Sequence, residues 1–302
     1  AQSPVRRPTG AGRTFERLRP NILRLYSCRA LRRGQGPVKL DYPRPYWQVF
    51  NDYSARRTWP TYLGELPLES SVPEGKLRYA FGFKLRGRVR QPSLVFDPRC
   101  ARGRFEVLLN GKRLRARLVF PLDGTRPLRL RASHLREGLN RLELVFSPQG
   151  AMDGLLSQIY LEGEFDVTVR HGRAVVSPPS GRISEKGWQA AGLPHYMGEG
   201  RYRWTESFSP ADLESSWTLQ VERIVDSAQL RVNGASMGVR AWAPWRWPLS
   251  GLKEGPNVFE LIVSGTAGNR HELRWPDQPQ GWIGGAWLVA MRCHSCRVLR
   301  PA

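Results

Sequence analysis

With 302 residues, 40% of them hydrophobic and 10% aromatic, the chain has enough apolar material for two domains with their own cores, and this excludes a disordered tract. The net charge of +21 at pH 7 suggests a nucleic-acid partner, but it is unevenly spread. Residues 1–180 carry 33 Lys and Arg against 15 Asp and Glu, whereas residues 181–302 carry 14 against 11.

In chain order, residues 1–20 are rich in Arg, Pro and Gly and read as a flexible lead-in or linker. The following stretch is irregular, with Tyr42-Pro43-Arg44-Pro45-Tyr46-Trp47 and Trp59-Pro60 as aromatic, proline-rich connections. From residue 77 the pattern changes to period two: Tyr79, Phe81, Phe83 and Leu85, then Phe105, Val107 and Leu109, then Leu142, Leu144 and Phe146, then Phe165, Val167 and Val169. Such alternation predicts half-buried strands. The basic residues follow it too. Arg86, Arg88 and Arg90, then Arg113, Arg115 and Arg117, then Arg129 and Arg131 each fall on one solvated strand face, which argues against nucleic acid as the partner.

Ser177-Pro178-Pro179-Ser180-Gly181 has the composition of a boundary, giving a first module over 21–176, a linker over 177–182 and a second module over 183–302. The second module repeats the rhythm with Tyr202, Trp204 and Phe208, then Trp217, Leu219 and Val221, then Leu230 and Val232, then Phe259, Leu261 and Val263. Short helical turns are predicted after Ser133 and at Pro210 to Leu213, and no helix of ten residues. No run of 18 apolar residues is present, so no membrane-spanning helix is expected. No charged-then-apolar leader opens the sequence, which reads as mature or as lacking its original N-terminus. The expected fold is all-β, with two tandem antiparallel sandwiches.

An internal repeat relates the two modules. Val107-Leu108-Leu109-Asn110-Gly111 is followed about thirty residues later by Glu137-Gly138-Leu139-Asn140 and the strand Arg141 to Leu144; Leu230-Arg231-Val232-Asn233-Gly234 is followed by Glu254-Gly255-Pro256-Asn257 and the strand Val258 to Leu261. Asn-Gly suits a type I′ hairpin, whose two central residues need positive φ. The same hairpin, turn and strand in the same order imply one architecture used twice.

These residues resemble the jelly-roll, galactose-binding-like modules of glycoside hydrolases, in particular the C-terminal region of α-L-rhamnosidase-like enzymes and the sugar-binding domain of β-galactosidase relatives. The likeness runs through Gly187-Trp188-Gln189, Gly192 to Tyr202, the Asn233-Gly234 hairpin, the Trp242 to Pro248 excursion and Ala267-Gly268-Asn269-Arg270. In the first module it runs from Asn21-Ile22-Leu23 to Leu161-Glu162-Gly163-Glu164-Phe165. It implies two jelly-roll sandwiches, a carbohydrate ligand, a glycosidase catalytic domain as partner in cis or in trans, and an extracellular or periplasmic setting. It also allows a structural calcium ion, with no other cofactor expected.

In that family the catalytic acids lie on a (β/α)₈ barrel, and no βαβα periodicity occurs here. Glu199, Glu206, Asp212, Glu222, Asp226, Glu260 and Glu272 show no spacing that marks a catalytic pair. The sequence therefore predicts no catalytic residue and a non-catalytic carbohydrate-binding or accessory role. The alternatives are a structural or docking segment for an upstream catalytic domain, and a basic surface for anionic polysaccharide or nucleic acid.

For the sugar, Trp242-Ala243-Pro244-Trp245-Arg246-Trp247-Pro248 offers indoles for C–H faces and a guanidinium for hydroxyls. Trp282 is a further candidate because its neighbouring glycines allow close backbone approach. The expected site is Trp242, Trp245, Arg246 and Trp282, with His195 and Tyr196, at one end of the second sandwich; strand faces are expected to be committed to packing. Cys293-His294-Ser295-Cys296 lacks a second ligand pair at suitable spacing, so no metal site is expected and Cys28, Cys100, Cys293 and Cys296 are read as free thiols.

Overall fold

The computed structural model describes residues 5–25, 27–32, 36–40, 75–150, 152–170, 173–182, 184–265 and 281–292. Its strands begin with β1 (Val5–Thr9), β2 (Thr14–Arg17), β3 (Asn21–Leu25), β4 (Cys28–Arg32), β5 (Val38–Leu40) and β6 (Leu77–Leu85). There follow β7 (Arg90–Phe96), β8 (Ala101–Leu109), β9 (Lys112–Phe120), β10 (Leu128–Arg131), β11 (Gly138–Ser147), β12 (Gly154–Leu155), β13 (Ile159–Glu164), β14 (Asp166–Arg170) and β15 (Arg173–Ser177). The remaining strands are β16 (Glu199–Phe208), β17 (Ser215–Ile224), β18 (Ser227–Val232), β19 (Ala235–Arg240), β20 (Arg246–Pro248), β21 (Gly255–Ser264) and β22 (Trp282–Arg292).

The one helix among the described residues, α1 (Pro210–Leu213), starts on a capping box in which Ser209 and Asp212 bond each other's backbone N–H. The helical turn predicted after Ser133 is a hydrogen-bonded turn without helix. The fold is thus all-β. Two compact units divide the chain, Ile22–Pro179 and a second made of Ala1–Asn21 with Ser180–Ala302.

Each unit is a sandwich of two sheets. In the first, β10-β7-β13-β3 forms one sheet, and the other runs β12-β8-β11-β6-β15-β14 with β9 on β8, β4 on β6 and β5 on β4. In the second, the sheets are β1-β22-β17-β20 and β19-β18-β21-β16-β2. Among the pairs with a described register, pairing is antiparallel except where β15 meets β6 in parallel at Val175↔Lys84 and Val176↔Leu85. Alternation explains the burial: β6 turns Leu77, Tyr79, Phe81, Phe83 and Leu85 inward. Strand β17 does the same with Trp217, Leu219 and Val221.

The strand orders coincide. β9-β8-β11-β6-β4 in the first sandwich corresponds to β19-β18-β21-β16-β2 in the second, and β10-β7-β13-β3 corresponds to β20-β17-β22-β1. Because β1 and β2 precede β3 in sequence, the first sandwich is inserted in the connection from β2 to β16 of the second.

Residues 1–20, expected as a flexible lead-in, are thereby corrected. Strand β1 pairs β22 from Val5↔Ala290 to Thr9↔Ala286, and β2 pairs β16 from Thr14↔Arg203 to Arg17↔Gly200. Few apolar residues are needed for this docking. Arg7 lies over the rings of Phe208 at 4.6 Å and Trp217 at 4.7 Å, and Arg13 lies over Trp282 at 4.2 Å. Each such contact contributes roughly 0.5–2 kcal/mol. Trp204 Nε1 donates to Thr9 Oγ1 at 3.0 Å, and that hydroxyl donates onward to Glu206. Phe15 packs on Tyr202 at 5.0 Å. It does so over Gly200, where a Cβ would stand 2.5 Å from the Phe15 ring. The Tyr42 to Trp47 and Trp59-Pro60 segments, Ala267 to Arg270, Glu272 and the Cys293 to Cys296 motif lie outside the described residues.

Candidate functional site

The six residues expected to line a sugar site have separate fates in the second sandwich. The Trp242 to Pro248 excursion is bound to the four-stranded sheet through β20, with Leu219↔Trp247 and Gln220↔Arg246. Val221 N–H donates to the Trp245 carbonyl at 2.9 Å. Trp245 and Trp247 turn inward and stack with centroids 6.5 Å apart, and Trp247 Nε1 donates to the Gly238 carbonyl at 3.1 Å. Arg246 and Trp242 face outward, the latter 77% exposed.

Trp282 and Tyr196 are in the core. Tyr196 meets Trp188 edge-on at 5.2 Å, Trp188 Nε1 donates to Tyr202 Oη at 2.9 Å, and Tyr202 meets Trp282 at 5.1 Å. Trp282 also lies 5.6 Å from Trp204, which stacks on Phe259 at 5.3 Å. Burial pushes the phenols of Tyr196 and Tyr202 up to about 12. Gly281 does allow a close approach, but Trp188 is what approaches: a Cβ there would lie 2.5 Å from Trp188 Nε1. His195 is buried as well. Trp245, Trp282, Tyr196 and His195 therefore present no open face to a ligand, which corrects the expected cluster. Period-two alternation fixes Trp245, and Trp282 packs between Tyr202 and Trp204 with its ring edge over Gly10.

What the structure gathers on the outside is a different group. The four-stranded sheet aligns Pro8↔Trp287, Trp287↔Gln220 and Gln220↔Arg246 across β1, β22, β17 and β20. A second row runs Arg6↔Val289, Val289↔Thr218 and Thr218↔Pro248. Directly opposed residues share a face, and the intervening Leu219, Trp247 and Leu288 are buried, so both rows point away from the core. Trp287 is half-buried, its indole lying over Gly285 with the Arg6 guanidinium 4.0 Å from the ring centroid. An indole, an amide and two guanidinium groups thus stand on neighbouring strands, Trp287 and Arg246 about 10 Å apart at two strand spacings. Sequence reading missed Trp287 because it lies in an apolar strand. The signal was its phase, out of step with the inward Ala286, Leu288 and Ala290.

The carboxylates are engaged in structure. Glu206 accepts from Thr9 and from Gly10 N–H at 3.2 Å, Glu222 from Gly285 N–H at 3.0 Å, and Glu199 from Ser264 Oγ at 3.2 Å. Arg203 stands 3.9 Å from Glu260. Asp212 caps α1, and the hydrogen bonds from Ser209 hold its carboxyl below the usual range. Cys28 and Cys100 are buried, and no three His, Cys, Asp or Glu side chains cluster as metal ligands among the described residues.

No family model and no curated protein matches the chain. Among solved structures it is similar to a rhamnosidase from Novosphingobium sp. PP1Y, with 18% identity, TM-score 0.31, and 71% of this chain and 23% of that one covered. It is similar to the β-D-mannosidase of Dictyoglomus thermophilum, with 13% identity, TM-score 0.36, and coverage of 81% and 31%. The β-glucuronidase of Bifidobacterium dentium gives 11% identity, TM-score 0.33, and coverage of 85% and 43%. The chain spans less than half the length of each of these.

Proposed function

We propose that the chain is a non-catalytic pair of galactose-binding-like, jelly-roll modules that binds or positions carbohydrate for a glycoside hydrolase domain in cis or in trans. The observation that carries this reading is the outward row Trp287–Gln220–Arg246, with Arg6 over the indole. The indole supplies an apolar face for pyranose C–H groups, Gln220 an amide donor and acceptor, and the arginines donors for hydroxyl or carboxylate oxygens. Trp242, exposed beyond β19, is a second indole in reach of solvent. No hydrolysis is assigned to the chain; among the acids singled out in the sequence, Glu206, Glu222, Glu199 and Asp212 already serve Thr9 and Gly10, Gly285, Ser264 and the α1 cap.

The test is binding of the purified chain to an oligosaccharide array at low and moderate salt, with an aryl-glycoside turnover assay beside it. Binding that persists at moderate salt without turnover is expected. Turnover abolished by substituting one acid would contradict the non-catalytic part. The burial of Trp245, Trp282 and Tyr196 favours a second reading, a structural segment that supports a catalytic domain, and absence of binding to every glycan would favour that one.

A further inference from the structure

The first sandwich holds most of the positive charge: residues 22–179 carry 28 Lys and Arg against 14 Asp and Glu. Much of it is paired. Arg129 forks onto Glu162 at 2.9 and 3.3 Å, Arg113 meets Glu106 at 3.0 Å, and Arg78 and Arg141 share Glu143 at 3.3 and 3.0 Å. The side chains of Arg88, Arg90 and Arg131 make no ion pair or hydrogen bond among the described residues.

These three meet at a concavity of about 810 Å³ lined by Arg88 to Ser93 together with Arg131, none of them acidic and none aromatic. Its volume lies in the range of small-ligand sites, roughly 300–1,000 Å³. Two features build it. Arg131 pairs Ser93 across β10 and β7, while the Glu162 carboxylate, next along that row on β13, is taken by Arg129. Gln91 at the start of β7 has φ of +50°, in the left-handed region, immediately before Pro92. Such a backbone is uncommon for a non-glycine residue and kinks the strand where the arginines lie.

We propose that this concavity binds the oxyanion of an acidic polysaccharide, a carboxylate or sulfate group on a sugar ring. A guanidinium matches a planar carboxylate or two sulfate oxygens with parallel N–H donors. Three of them in a lining that holds no acid favour negative charge, with Glu164 standing opposite Arg90 across β13 and β7 as a neighbouring carboxylate in register. The cavity is far larger than an isolated inorganic anion needs and leaves room for the ring that bears it. Single-stranded nucleic acid is the poorer match, since no aromatic platform lines the cavity for base stacking. The site is separate from Trp287 and does not depend on that reading.

The test is titration calorimetry of the full chain with an oligogalacturonate, a sulfated oligosaccharide of equal length, the methyl-esterified oligogalacturonate and a single-stranded oligodeoxynucleotide. It is run on the natural chain and on Arg131→Ala, Arg88→Ala/Arg90→Ala, Trp287→Ala and, as a charge control, Arg117→Ala. All these arginines are exposed, so the variants should keep the parent melting temperature. Binding of the carboxylated or the sulfated oligosaccharide is expected, and which of them binds identifies the oxyanion. Arg131→Ala and the double variant should weaken it at least tenfold, Arg117→Ala and Trp287→Ala less than twofold, and the ester should not bind. Equal losses from Arg117→Ala, unchanged binding in the Arg131 and Arg88/Arg90 variants, tighter binding of the oligonucleotide at the same arginines, or no binding of either acidic sugar would each overturn the proposal.

Discussion

Asn233 donates its side-chain amide to Oδ1 of Asn257 at 2.8 Å, and Asn110 does the same to Asn140 at 2.9 Å. Asn110 Nδ2 also donates to the His134 carbonyl at 2.8 Å, and the bonds around the second asparagine of each pair match. Asn257 Nδ2 donates to the carbonyls of Lys253 and Gly255 at 2.7 and 3.0 Å, and Asn140 Nδ2 to those of Arg136 and Gly138 at 2.7 and 3.1 Å. Val258 N–H returns to Asn233 Oδ1 and Arg141 N–H to Asn110 Oδ1, each at 2.9 Å. The hairpin asparagine thus latches the turn that launches the neighbouring core strand.

Because Asn257 is fully buried, Asn257→Ala leaves Asn233 and two carbonyls without their partner. A loss of about 1–3 kcal/mol is expected, confined to the second sandwich. Asn140→Ala should do the same to the first. Calorimetric scans of the two variants check this; a single transition shifted equally by both would show that the sandwiches do not melt as separate units.

Removal of residues 1–20 should lower the melting temperature of the second sandwich by the equivalent of more than about 3 kcal/mol, since β1 and β2 are lost with the Phe15, Arg7 and Thr9 contacts. An unchanged melting temperature would restore the flexible lead-in.

The hairpins, the alternating core positions and the sandwich class were legible because they rest on local rules, period two and Asn-Gly turns. The destination of β1 and β2 was not. The partner strand of β1 lies about 280 residues away and that of β2 about 185, and arginines over aromatic rings replace the apolar residues that periodicity would detect. Of the six residues expected at a site, Arg246 and Trp242 alone are exposed. Trp245 and Trp282 were drawn to a ligand by composition, whereas backbone phase and a glycine-sized gap put them inside.

Trp245→Ala should cost about 3–5 kcal/mol of stability, as for a buried indole, and Trp242→Ala less than about 0.5. Denaturant midpoints of the two variants check this, and similar midpoints would contradict the assigned burial.

Stability should fall on the alkaline side. Burial pushes the Cys28 thiol up from 9.0 to about 12 and the Tyr196 and Tyr202 phenols from 10.0 to about 12, so the unfolded chain loses these protons first. The native state then binds more protons than the unfolded one, and stability is complete below pH 9 and declines as pH rises toward 12. The loss is of the order of 1 kcal/mol per group for each pH unit within its window. Melting followed by circular dichroism between pH 8 and 11 measures it; a flat profile would contradict the burial of these groups.

The most direct measurement is paired affinity and melting of Trp287→Ala against the strongest uncharged glycan found for the natural chain. If the outer face of β1-β22-β17-β20 holds the sugar, affinity should fall roughly 5- to 150-fold, the 1–3 kcal/mol known for aromatic stacking, while the melting temperature of the second sandwich moves little. Unchanged affinity, or a collapse of the melting temperature in its place, would contradict the account.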